Sequence, residues 1–337
     1  MKGTVIITGA NSQLAQCINS ILTARGMSFL FEYKYIFATH AELDITKPKS
    51  IEEYVSKYDN VKYIVNCAAY TNVEKSNEEY NTAVAVNQQG VENLGAYCKE
   101  HDIFLITFGT DFMYNPIHIR PIKEDDDRDP LNGYGKSKLW GYYALSQLYP
   151  ANDLEKHFLF INTSWLYSEF GNNFVKKIYN AVKNGEQRKV VIDQVGTPTY
   201  APNLARFVID YIERDEKPRL KTYGLINVAG KGVASWYDLA KTVEDIVKQN
   251  NALDSLIQPC LSSDFKSKVK RPEYSALSTK LLEDNFGVDT YTAYWREDVE
   301  MCVKNLILLD SMGEVAKQIN QSVSAIWTPI PRDIDEQ

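Results

Sequence analysis

The chain has 337 residues, of which 44% are hydrophobic and 24% are charged, and its formal net charge is −7. This is the composition of a globular protein with enough core for more than one lobe. The negative charge repels nucleic acid phosphates, so we expect no nucleic acid partner. Its apolar runs are too short for a signal-peptide core or a membrane span, and its five cysteines lack close pairing. We therefore expect a cytoplasmic protein without a membrane partner.

The first half of the chain alternates short apolar runs with segments of helical periodicity. The predicted strands are 3–10, 34–40, 61–69, 103–111 and 157–167, and the predicted helices are 12–26, 47–58, 77–102 and 133–149. This alternation indicates a parallel sheet with helices on both faces. We therefore predict an α/β fold with a Rossmann-like doubly wound parallel sheet, which binds ligands beyond the C-terminal ends of its strands.

The second half is less regular. Amphipathic helices are predicted at 174–185, 202–215 and 236–249, with short strands at 188–193 and 224–230. We predict a Rossmann domain over residues 1–164, completed by about 186–215. A smaller, discontinuous α/β lobe is predicted over about 165–185 and 216–305, followed by a C-terminal extension, 306–337, to which we assign no role.

The segment TGANSQLA joins the first predicted strand to the first predicted helix, where backbone N–H groups and a helix N-terminus can bind a diphosphate. In a Gly-x-x-Gly-x-x-Gly loop the three positions would be Gly9, Ser12 and Ala15, and only the first is glycine. The loop alone supports a nucleotide site and a plain strand–turn–helix junction equally. The second predicted strand ends without the acid that binds ribose in NAD enzymes, so the choice between NADH and NADPH stays open.

A tyrosine and a lysine four positions apart form the second candidate motif. Such pairs occur at Tyr58/Lys62, Tyr134/Lys138, Tyr179/Lys183 and Tyr237/Lys241. Only the pair Tyr134/Lys138 lies on the predicted helix after the fourth strand, whose tip carries Thr110. Residues four apart share a helix face, so both side chains can point toward Thr110. The spacing alone leaves open a catalytic pair and two neighbours on a helix surface, and the surroundings of the pair must decide between them.

These segments resemble the extended short-chain dehydrogenase/reductases and, among them, the family of dTDP-4-dehydrorhamnose reductases. The shared motifs cover roughly residues 1–305 in the family's order, and they are GANSQLAQ, LDIT, NCAAYTNVEKS, GTDFMY, PLNGYGKSKLWG, NTSWLYSEFGNNF, DQVGTPT, SWYDLA and RPEYSAL. The resemblance implies that NADPH or NADH reduces the C4 keto group of dTDP-4-dehydro-L-rhamnose, giving dTDP-L-rhamnose. The alternatives are a reductase or epimerase of another nucleotide-4-keto sugar, or a non-catalytic regulatory subunit. A homodimer also stays open.

The resemblance also implies roles for individual residues. Tyr134 would be the proton donor, Lys138 would lower the pKa of the phenol and hold the nicotinamide ribose, and Thr110 would hydrogen-bond the carbonyl oxygen or the phenol. The implied substrate contacts are Thr110, Asp111, Tyr134, Trp165 against the sugar ring and Arg271 against the diphosphate. The implied cofactor contacts are Gly9, Asn11, Ser12, Gln13, Leu14, Asp44, Ile45, Ala68, Ala69, Tyr70, Thr71, Tyr134 and Lys138. A core position for Trp165 and a solvated loop position for Arg271 are the alternatives.

Other features narrow the chemistry. Phe112 follows Asp111 where the related 4,6-dehydratases carry Glu, which argues against dehydration. The acidic run 124–127 lacks the ligand spacing of a calcium loop, and we interpret it as a solvated loop. The four histidines have no metal-ligand spacing either, so we predict no metal site.

Overall fold

A computed structural model describes residues 1–26, 32–114, 119–150, 153–215, 217, 222, 224–248, 255–265, 267–287 and 291–326. The strands are β1 (Gly3–Thr8), β2 (Tyr33–Ala38), β3 (Val61–Asn66), β4 (Phe104–Thr110), β5 (Phe158–Thr163), β6 (Leu166–Tyr167), β7 (Arg188–Val191), β8 (Val195–Gly196), β9 (Thr199–Tyr200), β10 (Leu225–Asn227), β11 (Ala234–Ser235) and β12 (Ile257–Cys260). The helices are α1 (Gln13–Gly26), α2 (Pro48–Val55), α3 (Tyr80–Val84), α4 (Gly90–Glu100), α5 (Gly133–Leu148), α6 (Phe174–Lys183), α7 (Ala201–Glu213), α8 (Trp236–Val247), α9 (Lys280–Phe286) and α10 (Trp295–Ile326).

Six parallel strands form the main sheet in the order β10–β5–β4–β3–β1–β2. All six residues of β1 are buried, as expected for a strand covered on both faces. The strand order reverses between β1 and β3, and such a reversal creates a ligand-binding crevice at the C-terminal edge of the sheet. The predicted α/β fold with a Rossmann-like doubly wound sheet is confirmed.

Helices cover both faces of this sheet. On one face α1 and α7 pack together, and Ile18 and Phe207 are buried there with residues of the strands. On the other face lie α2, α4 and α5, whose buried residues include Leu94 and Leu145. None of the helices within the described ranges is both long enough and apolar enough to cross a membrane.

The predicted helix 77–102 is not a single α-helix. A π-helical segment, Ala85–Gln89, separates α3 from α4. It contains the buried Asn87, whose amide group bonds the backbone N and O of Tyr70 at 3.0 Å each and the Ser137 hydroxyl at 3.0 Å. The extra residue per turn therefore points a polar side chain at the C-terminal edge of the sheet, and such bulges are frequent at functional sites.

A third hydrophobic core belongs to the smaller lobe, where α6, α8 and α10 pack together with the parallel pair β7–β12. Two predicted boundaries differ from the structure. Residues 186–215 were expected to complete the Rossmann domain, but their strand β7 pairs with β12 inside the smaller lobe. Residues 216–305 were expected in the smaller lobe, but their strand β10 completes the main sheet. The predicted strand 157–167 also divides into β5 and β6, because Trp165 between them has a φ of +47°.

The C-terminal extension predicted from residue 306 begins inside a helix. The helix α10 starts at Trp295, which is fully buried in the core of the smaller lobe together with Val299 and Val303. Leu306 is also buried in that core. The first part of the extension therefore continues a helix that stabilises the lobe, while residues 327–337 lie outside the described ranges. The division of the chain into two functional domains stays a prediction.

The acidic run before α5 is only partly solvated. Glu124 is buried, and its Oε1 accepts a hydrogen bond from the backbone N of Asn227 at 2.9 Å. The interpretation as a solvated loop is therefore wrong for Glu124. Burial raises the pKa of this carboxyl to about 7, because the charged form loses its water contacts.

We expect Glu124→Gln to stabilise the protein at about pH 8 but not at about pH 4. The unfolded carboxyl loses its proton near its ordinary pKa of about 4.3, while the folded carboxyl keeps it until about pH 7. Wild-type stability therefore falls as the pH rises through this window. Gln keeps the acceptor for Asn227 without titrating, so the gain should approach about 1–3 kcal/mol. Urea unfolding at both pH values measures it, with the exposed Asp127→Asn as the control. An equal change in the free energy of unfolding at both pH values would contradict this account.

Candidate active site

The turn after β1 is built around Gly9, which has a φ of +64°. A Cβ atom on Gly9 would lie 2.7 Å from the backbone N and 2.9 Å from the Cα of Ala68. Glycine is therefore required where the tips of β1 and β3 meet. The backbone N of Ser12 donates to the Gly9 carbonyl at 2.8 Å and closes the turn just before α1.

The two positions that lack the expected glycines fit this turn. Ser12 Oγ accepts a hydrogen bond from the backbone N of Ala15 at 3.3 Å, so the hydroxyl caps the first turn of α1. Ala15 is completely buried against the core. The turn therefore still presents the N-terminus of α1 at the C-terminal edge of the sheet, which is the arrangement that binds a dinucleotide diphosphate.

The other predicted cofactor residues of this turn have different environments. Asn11 is exposed, while the Gln13 Oε1 accepts a hydrogen bond from Asn173 Nδ2 at 2.7 Å. Leu14 is buried in the core, so only its backbone faces the turn. Among these residues the backbone groups and Ser12 are the ones placed to meet a diphosphate.

Asp44 and Ile45 lie in the connection between β2 and α2. Asp44 Oδ1 accepts hydrogen bonds from the backbone N and the hydroxyl of Thr46 at 3.0 and 2.7 Å, and Lys47 Nζ lies 3.0 Å from Asp44 Oδ2. Burial alone would raise the pKa of Asp44, but these partners hold it at about 2. Ile45 is buried, and its carbonyl accepts from Asn93 Nδ2 at 3.1 Å. Asp44 is thus an ionised residue that shapes the turn.

The segment Ala68–Thr71 follows the tip of β3 and faces the glycine turn. The Ala68 backbone N lies 3.2 Å from Asn66 Oδ1, and Asn87 holds both backbone groups of Tyr70. The Tyr70 hydroxyl donates to Glu79 Oε2 at 3.0 Å. Local hydrogen bonds therefore fix this backbone beside Gly9, where it can form one wall of a dinucleotide groove.

Thr110 is the last residue of β4, and its hydroxyl has three polar partners. Its hydroxyl donates to Asp111 Oδ1 at 2.8 Å, accepts from the backbone N of Phe112 at 3.2 Å and hydrogen-bonds the Tyr134 phenol. Asp111 is buried, and its Oδ2 has no hydrogen-bond partner among the described residues. Burial raises the pKa of Asp111 to about 6, although hydrogen bonds from the Ser275 and Thr110 hydroxyls oppose this rise.

Two close backbone approaches place α5 against this strand end. A Cβ atom on Gly135 would lie 2.2 Å from the Phe112 carbonyl oxygen, and one on Gly133 would lie 2.3 Å from the Ser76 carbonyl oxygen. Asn132 caps the helix by accepting from the Gly135 backbone N at 2.9 Å. The first turn of α5 therefore packs against the segments that follow β3 and β4, and this contact brings Tyr134 to Thr110.

Lys138 lies one turn after Tyr134 and is buried. Its Nζ donates to the Phe108 carbonyl oxygen at 2.9 Å. Burial lowers the pKa of Lys138 to about 8, with Cys67 acting in the opposite direction. The structure thus brings Thr110, Tyr134 and Lys138 together, as the sequence predicted for these side chains.

The expected lowering of the Tyr134 pKa by Lys138 stays a prediction. Burial raises the pKa of the Tyr134 phenol, the Asp111 carboxylate raises it further, and only the hydrogen bond with Thr110 lowers it. The Lys138 ammonium is directed to the Phe108 carbonyl instead. Tyr134 is therefore held as a neutral phenol with a proton to donate.

A cavity of about 1080 Å³ opens near the start of α5, where Leu131 lines it, and its walls come from both lobes. We call it the cationic cavity, because five cationic side chains and two acidic ones line it. The cations are Lys177, Arg188, Lys189, Lys270 and Arg271, and the acids are Glu74 and Glu273. Phe174, Trp236 and Phe265 add aromatic rings to the wall. In a chain of net charge −7, this local excess of positive charge suits a small anion such as a diphosphate.

The expected contact of Trp165 with the sugar ring stays a prediction. The Trp165 ring stacks on Trp236 with centroids 3.6 Å apart and planes 6° apart, and its edge fills the space over Gly196. Of these two tryptophans, Trp236 lines the cationic cavity. The expectation missed this pairing because the two residues are 71 positions apart, and one face of Trp165 is therefore closed to a ligand.

Arg271 lines the cationic cavity but is not a free loop residue. Its Nη2 donates to Glu74 Oε2 at 2.7 Å and its Nη1 donates to Ser267 Oγ at 2.7 Å. The hydrogen bond from Arg271 is the main reason that the pKa of Glu74 is lowered. The sequence analysis did not predict this ion pair between the lobes. It also did not predict that Lys177 and Lys189 line a cavity, although both segments that contain them, FVKKIYNAVKNG and RKVVID, are rich in basic residues.

No metal centre is evident at these residues. Across the described part of the chain, no group of three or more His, Cys, Asp or Glu side chains could hold a metal ion.

Similarity to known proteins extends over nearly the whole chain. A family model described as RmlD substrate binding domain matches residues 1–308. The dTDP-4-dehydrorhamnose reductase of Aggregatibacter actinomycetemcomitans is 30% identical over 286 residues, which are 84% of this chain and 93% of that protein. The dTDP-4-keto-6-deoxy-D-glucose reductase of Streptomyces niveus is 28% identical over 272 residues, which are 81% of this chain and 87% of that protein.

Solved structures are similar to this chain over a comparable length. A dTDP-4-dehydrorhamnose reductase from Clostridium acetobutylicum superposes with a TM-score of 0.78 at 32% identity, covering 90% of this chain and 99% of that chain. The dTDP-4-dehydrorhamnose reductase from Bacillus anthracis, solved in complex with NADP, has a TM-score of 0.78 at 28% identity and covers 90% and 100% of the two chains. The fold is therefore shared with these proteins.

Proposed function

The chain belongs to the RmlD substrate binding domain family, and from this membership we propose that it reduces the C4 keto group of dTDP-4-dehydro-L-rhamnose to give dTDP-L-rhamnose, with Tyr134 as the proton donor. The protein is an NAD(P)-dependent oxidoreductase of the dTDP-4-dehydrorhamnose reductase type, and its substrate is a nucleotide sugar. The proposed substrate and proton donor rest mainly on one observation, which is that Thr110, Tyr134 and Lys138 lie near each other at the tip of β4, close to the cationic cavity.

The dinucleotide would lie across the tips of β1 and β3. Its diphosphate would meet the turn of Gly9 and Ser12, and Lys138 would hold the nicotinamide ribose. When bound, the reduced nicotinamide supplies a hydride to the carbonyl carbon. The intact turn, with Ser12 and Ala15 accommodated, supports cofactor binding and weakens the alternative of a regulatory subunit without a cofactor.

Tyr134 protonates the carbonyl oxygen as negative charge develops there. Its pKa is raised by burial and by Asp111, so the phenol carries its proton at neutral pH. The Tyr134 O–H bond breaks and a new O–H bond forms on the sugar, leaving a phenolate. The phenol is the donor placed for the oxygen, and a donor arranged in advance stabilises such charge without reorganisation.

The protonation state of Asp111 determines which group receives the hydrogen bond from the Thr110 hydroxyl. With Asp111 ionised, the single Thr110 hydroxyl proton is used on Asp111 Oδ1, and Thr110 can only accept from Tyr134. With Asp111 protonated, Asp111 donates to Thr110 Oγ1, and the Thr110 proton can reach the Tyr134 oxygen. The phenolate then regains a proton from Thr110, Thr110 regains one from Asp111, and Asp111 ends as a carboxylate.

The cationic cavity would hold the nucleotide diphosphate. Arg271 is already paired with Glu74, whereas Lys177 and Lys189 form no ion pair with another described residue. Asn132 Nδ2 donates to the Lys270 carbonyl at 2.9 Å and so joins the start of α5 to the cavity wall. A diphosphate bound by the two lysines would leave the attached sugar to extend toward Tyr134.

We expect the double variant Lys177→Ala/Lys189→Ala to raise KM for the nucleotide sugar by about tenfold with little change in kcat. The two ammonium groups would attract the diphosphate in the ground state and in the transition state alike. Steady-state kinetics with the keto sugar measures both constants. Lys49→Ala and Lys136→Ala, at exposed positions outside the cavity wall, are the charge-matched control. A fall in kcat with unchanged KM would contradict this placement of the diphosphate.

A second candidate substrate has support from one relative. The Streptomyces niveus protein is named for a dTDP-4-keto-6-deoxy-D-glucose substrate, which differs from dTDP-4-dehydro-L-rhamnose in stereochemistry. The site groups described above act on a C4 carbonyl of either sugar. Product analysis by NMR separates the two candidates.

The direct test is oxidation of NADPH or NADH when dTDP-4-dehydro-L-rhamnose, made in situ, is added. We expect the absorbance of the reduced nicotinamide to fall and dTDP-L-rhamnose to form. Reduction of the other keto sugar alone would replace the proposed substrate. Folded protein that binds a dinucleotide but reduces neither sugar would overturn the proposal.

A further inference from the structure

The helix α10 has a second apolar face, on the side away from the smaller lobe. Val303 and Leu306 are buried in the core of that lobe, while Met301, Leu308 and Met312 are 51%, 57% and 59% exposed. Separations of seven and four residues place the three exposed side chains on one face of a helix with 3.6 residues per turn. We call this face the outer stripe.

The contacts of α10 with its own lobe fix the direction of the outer stripe. On the lobe side, Asp310 Oδ2 accepts hydrogen bonds from the Tyr179 hydroxyl and from Lys183 Nζ of α6, both at 2.6 Å. Trp295 and Val303 are buried on the same side. The helix therefore cannot turn the outer stripe toward this lobe without losing these contacts.

Exposed apolar side chains are concentrated on α10. Leu309, which lies beside the stripe, is 53% exposed, so this helix carries four large apolar side chains that are more than half exposed. Within the described ranges, every other helix or strand carries at most one large apolar side chain that is well exposed. Single apolar residues are normal on a protein surface, whereas a contiguous apolar patch marks an interaction site.

The sequence continues the stripe along the rest of α10. Apolar residues recur at separations of seven, four, three, four and seven positions, at Met301, Leu308, Met312, Val315, Ile319 and Ile326. These are core positions of a heptad repeat that is sustained over 301–326, and such a repeat is typical of a helix that packs in a coiled coil. The matched family region ends at residue 308, so the fold shared with that family does not account for most of the stripe.

We propose that two copies of this protein form a homodimer in which the outer stripe of one α10 packs against the outer stripe of the other. A heptad stripe fits a second heptad stripe, because each apolar side chain enters a hole between four residues of the facing helix. A second copy carries the matching stripe, and a two-fold axis brings the same surface of both copies together. The next core positions after Ile326 are Pro329 and Asp333, so the sequence that follows α10 does not continue the repeat. This inference is independent of the proposed function.

Charge favours a second copy over a different protein. The flanks of the stripe are positions 304, 311, 318 and 325 on one side and 309, 316 and 323 on the other, and only Lys304 among them is charged. Its Nζ is paired with Glu300 Oε1 at 2.6 Å. Charges at flanking positions select the partner of a coiled coil and repel the wrong one. These flanks neither repel an identical helix nor select an oppositely charged one.

Sedimentation equilibrium of the full chain tests the proposal. We expect the wild type to sediment with twice the mass of the chain, and Leu308→Glu/Met312→Glu to raise the dimer dissociation constant at least about a hundredfold, because carboxylates would enter the apolar interface. The uncharged variant Leu308→Ala/Met312→Ala should raise it at least about tenfold. Ile119→Glu/Leu261→Glu adds the same charge at exposed apolar positions outside α10 and should leave it unchanged.

Three results would overturn the proposal. They are a monomeric wild type, a dimer that both stripe variants leave intact, and an equal weakening of the dimer in the control variant. A chain shortened to end at Ile326 should still dimerise, and loss of the dimer on removal of residues 327–337 would place the contact in that segment instead. Circular dichroism of every variant checks the fold, and the alanine variant decides the question if the glutamate variant unfolds.

Discussion

Replacing Tyr134 with Phe should lower kcat for keto-sugar reduction by about 10²–10⁴-fold, the usual contribution of a positioned general acid. The ring keeps its packing against Phe112, with centroids 6.2 Å apart, so the fold and the dinucleotide groove should persist. Only the hydroxyl that meets Thr110 and the carbonyl oxygen is removed. The measurement is kcat at saturating keto sugar and dinucleotide, together with the dissociation constant of the dinucleotide.

Tyr143→Phe is the matched control for this variant. Tyr143 lies on the same helix α5, but its ring packs against Trp140 and Tyr142 instead of the strand tip. It should leave kcat within about twofold of the wild-type value, as most surface substitutions away from a site do. Equal losses in the two variants, or an unchanged kcat in Tyr134→Phe, would show that the phenol is not the proton donor.

Asp111→Asn should lower kcat by about 10–100-fold and change its pH dependence. Keto reduction requires the neutral form of Asp111, so the wild-type rate should fall as the pH rises through the pKa of this carboxyl, which burial places at about 6. The amide of Asn can donate to Thr110 at every pH but cannot give up a proton. The variant should therefore be slower at low pH and should lack the fall that the wild type shows.

The pH profile distinguishes this role from a structural one. It would be recorded for the wild type, Asp111→Asn and Thr110→Ser between about pH 5 and pH 9. Thr110→Ser keeps the hydroxyl and should keep the wild-type profile. A uniform loss of rate in Asp111→Asn, with the fall through the pKa retained, would mean that another group titrates and that Asp111 only supports the packing of the strand tip.

The strand and the helix that position the site residues were predictable, because the sequence patterns that specify them involve residues close together in the chain. The apolar run that ends at Thr110 specifies a buried strand, and the spacing of Tyr134 and Lys138 specifies one face of the following helix. A parallel sheet brings such strand tips and helix starts to one edge, so the meeting of these three side chains followed from the strand order. The glycine turn was less certain, because the fit of Ser12 and Ala15 depends on contacts that the pattern does not contain.

The features that sequence reasoning missed depend on residues far apart in the chain. Arg271 and Glu74 are separated by 197 positions, and their ion pair joins the two lobes. The burial of Glu124 depends on the strand β10, about a hundred positions later. Neither hydrophobic periodicity nor motif spacing records such pairings, since both describe neighbours along the chain.

A short-range turn was also missed, for a different reason. Glu42 is only three residues from Thr39, but the pattern of the motif looks for an acid at the end of the strand itself. The turn returns the carboxylate to the strand tip through two hydrogen bonds, which only coordinates reveal.

The central claim is that this site reduces the C4 carbonyl of the sugar, with hydride arriving at carbon and the Tyr134 proton at oxygen. The most direct measurement is NMR of the product formed with nicotinamide cofactor that carries deuterium at both C4 positions. The account predicts dTDP-L-rhamnose with deuterium at C4 of the sugar, formed by the wild type and strongly slowed in Tyr134→Phe. A product without deuterium at C4, or equal rates for the two proteins, would contradict it.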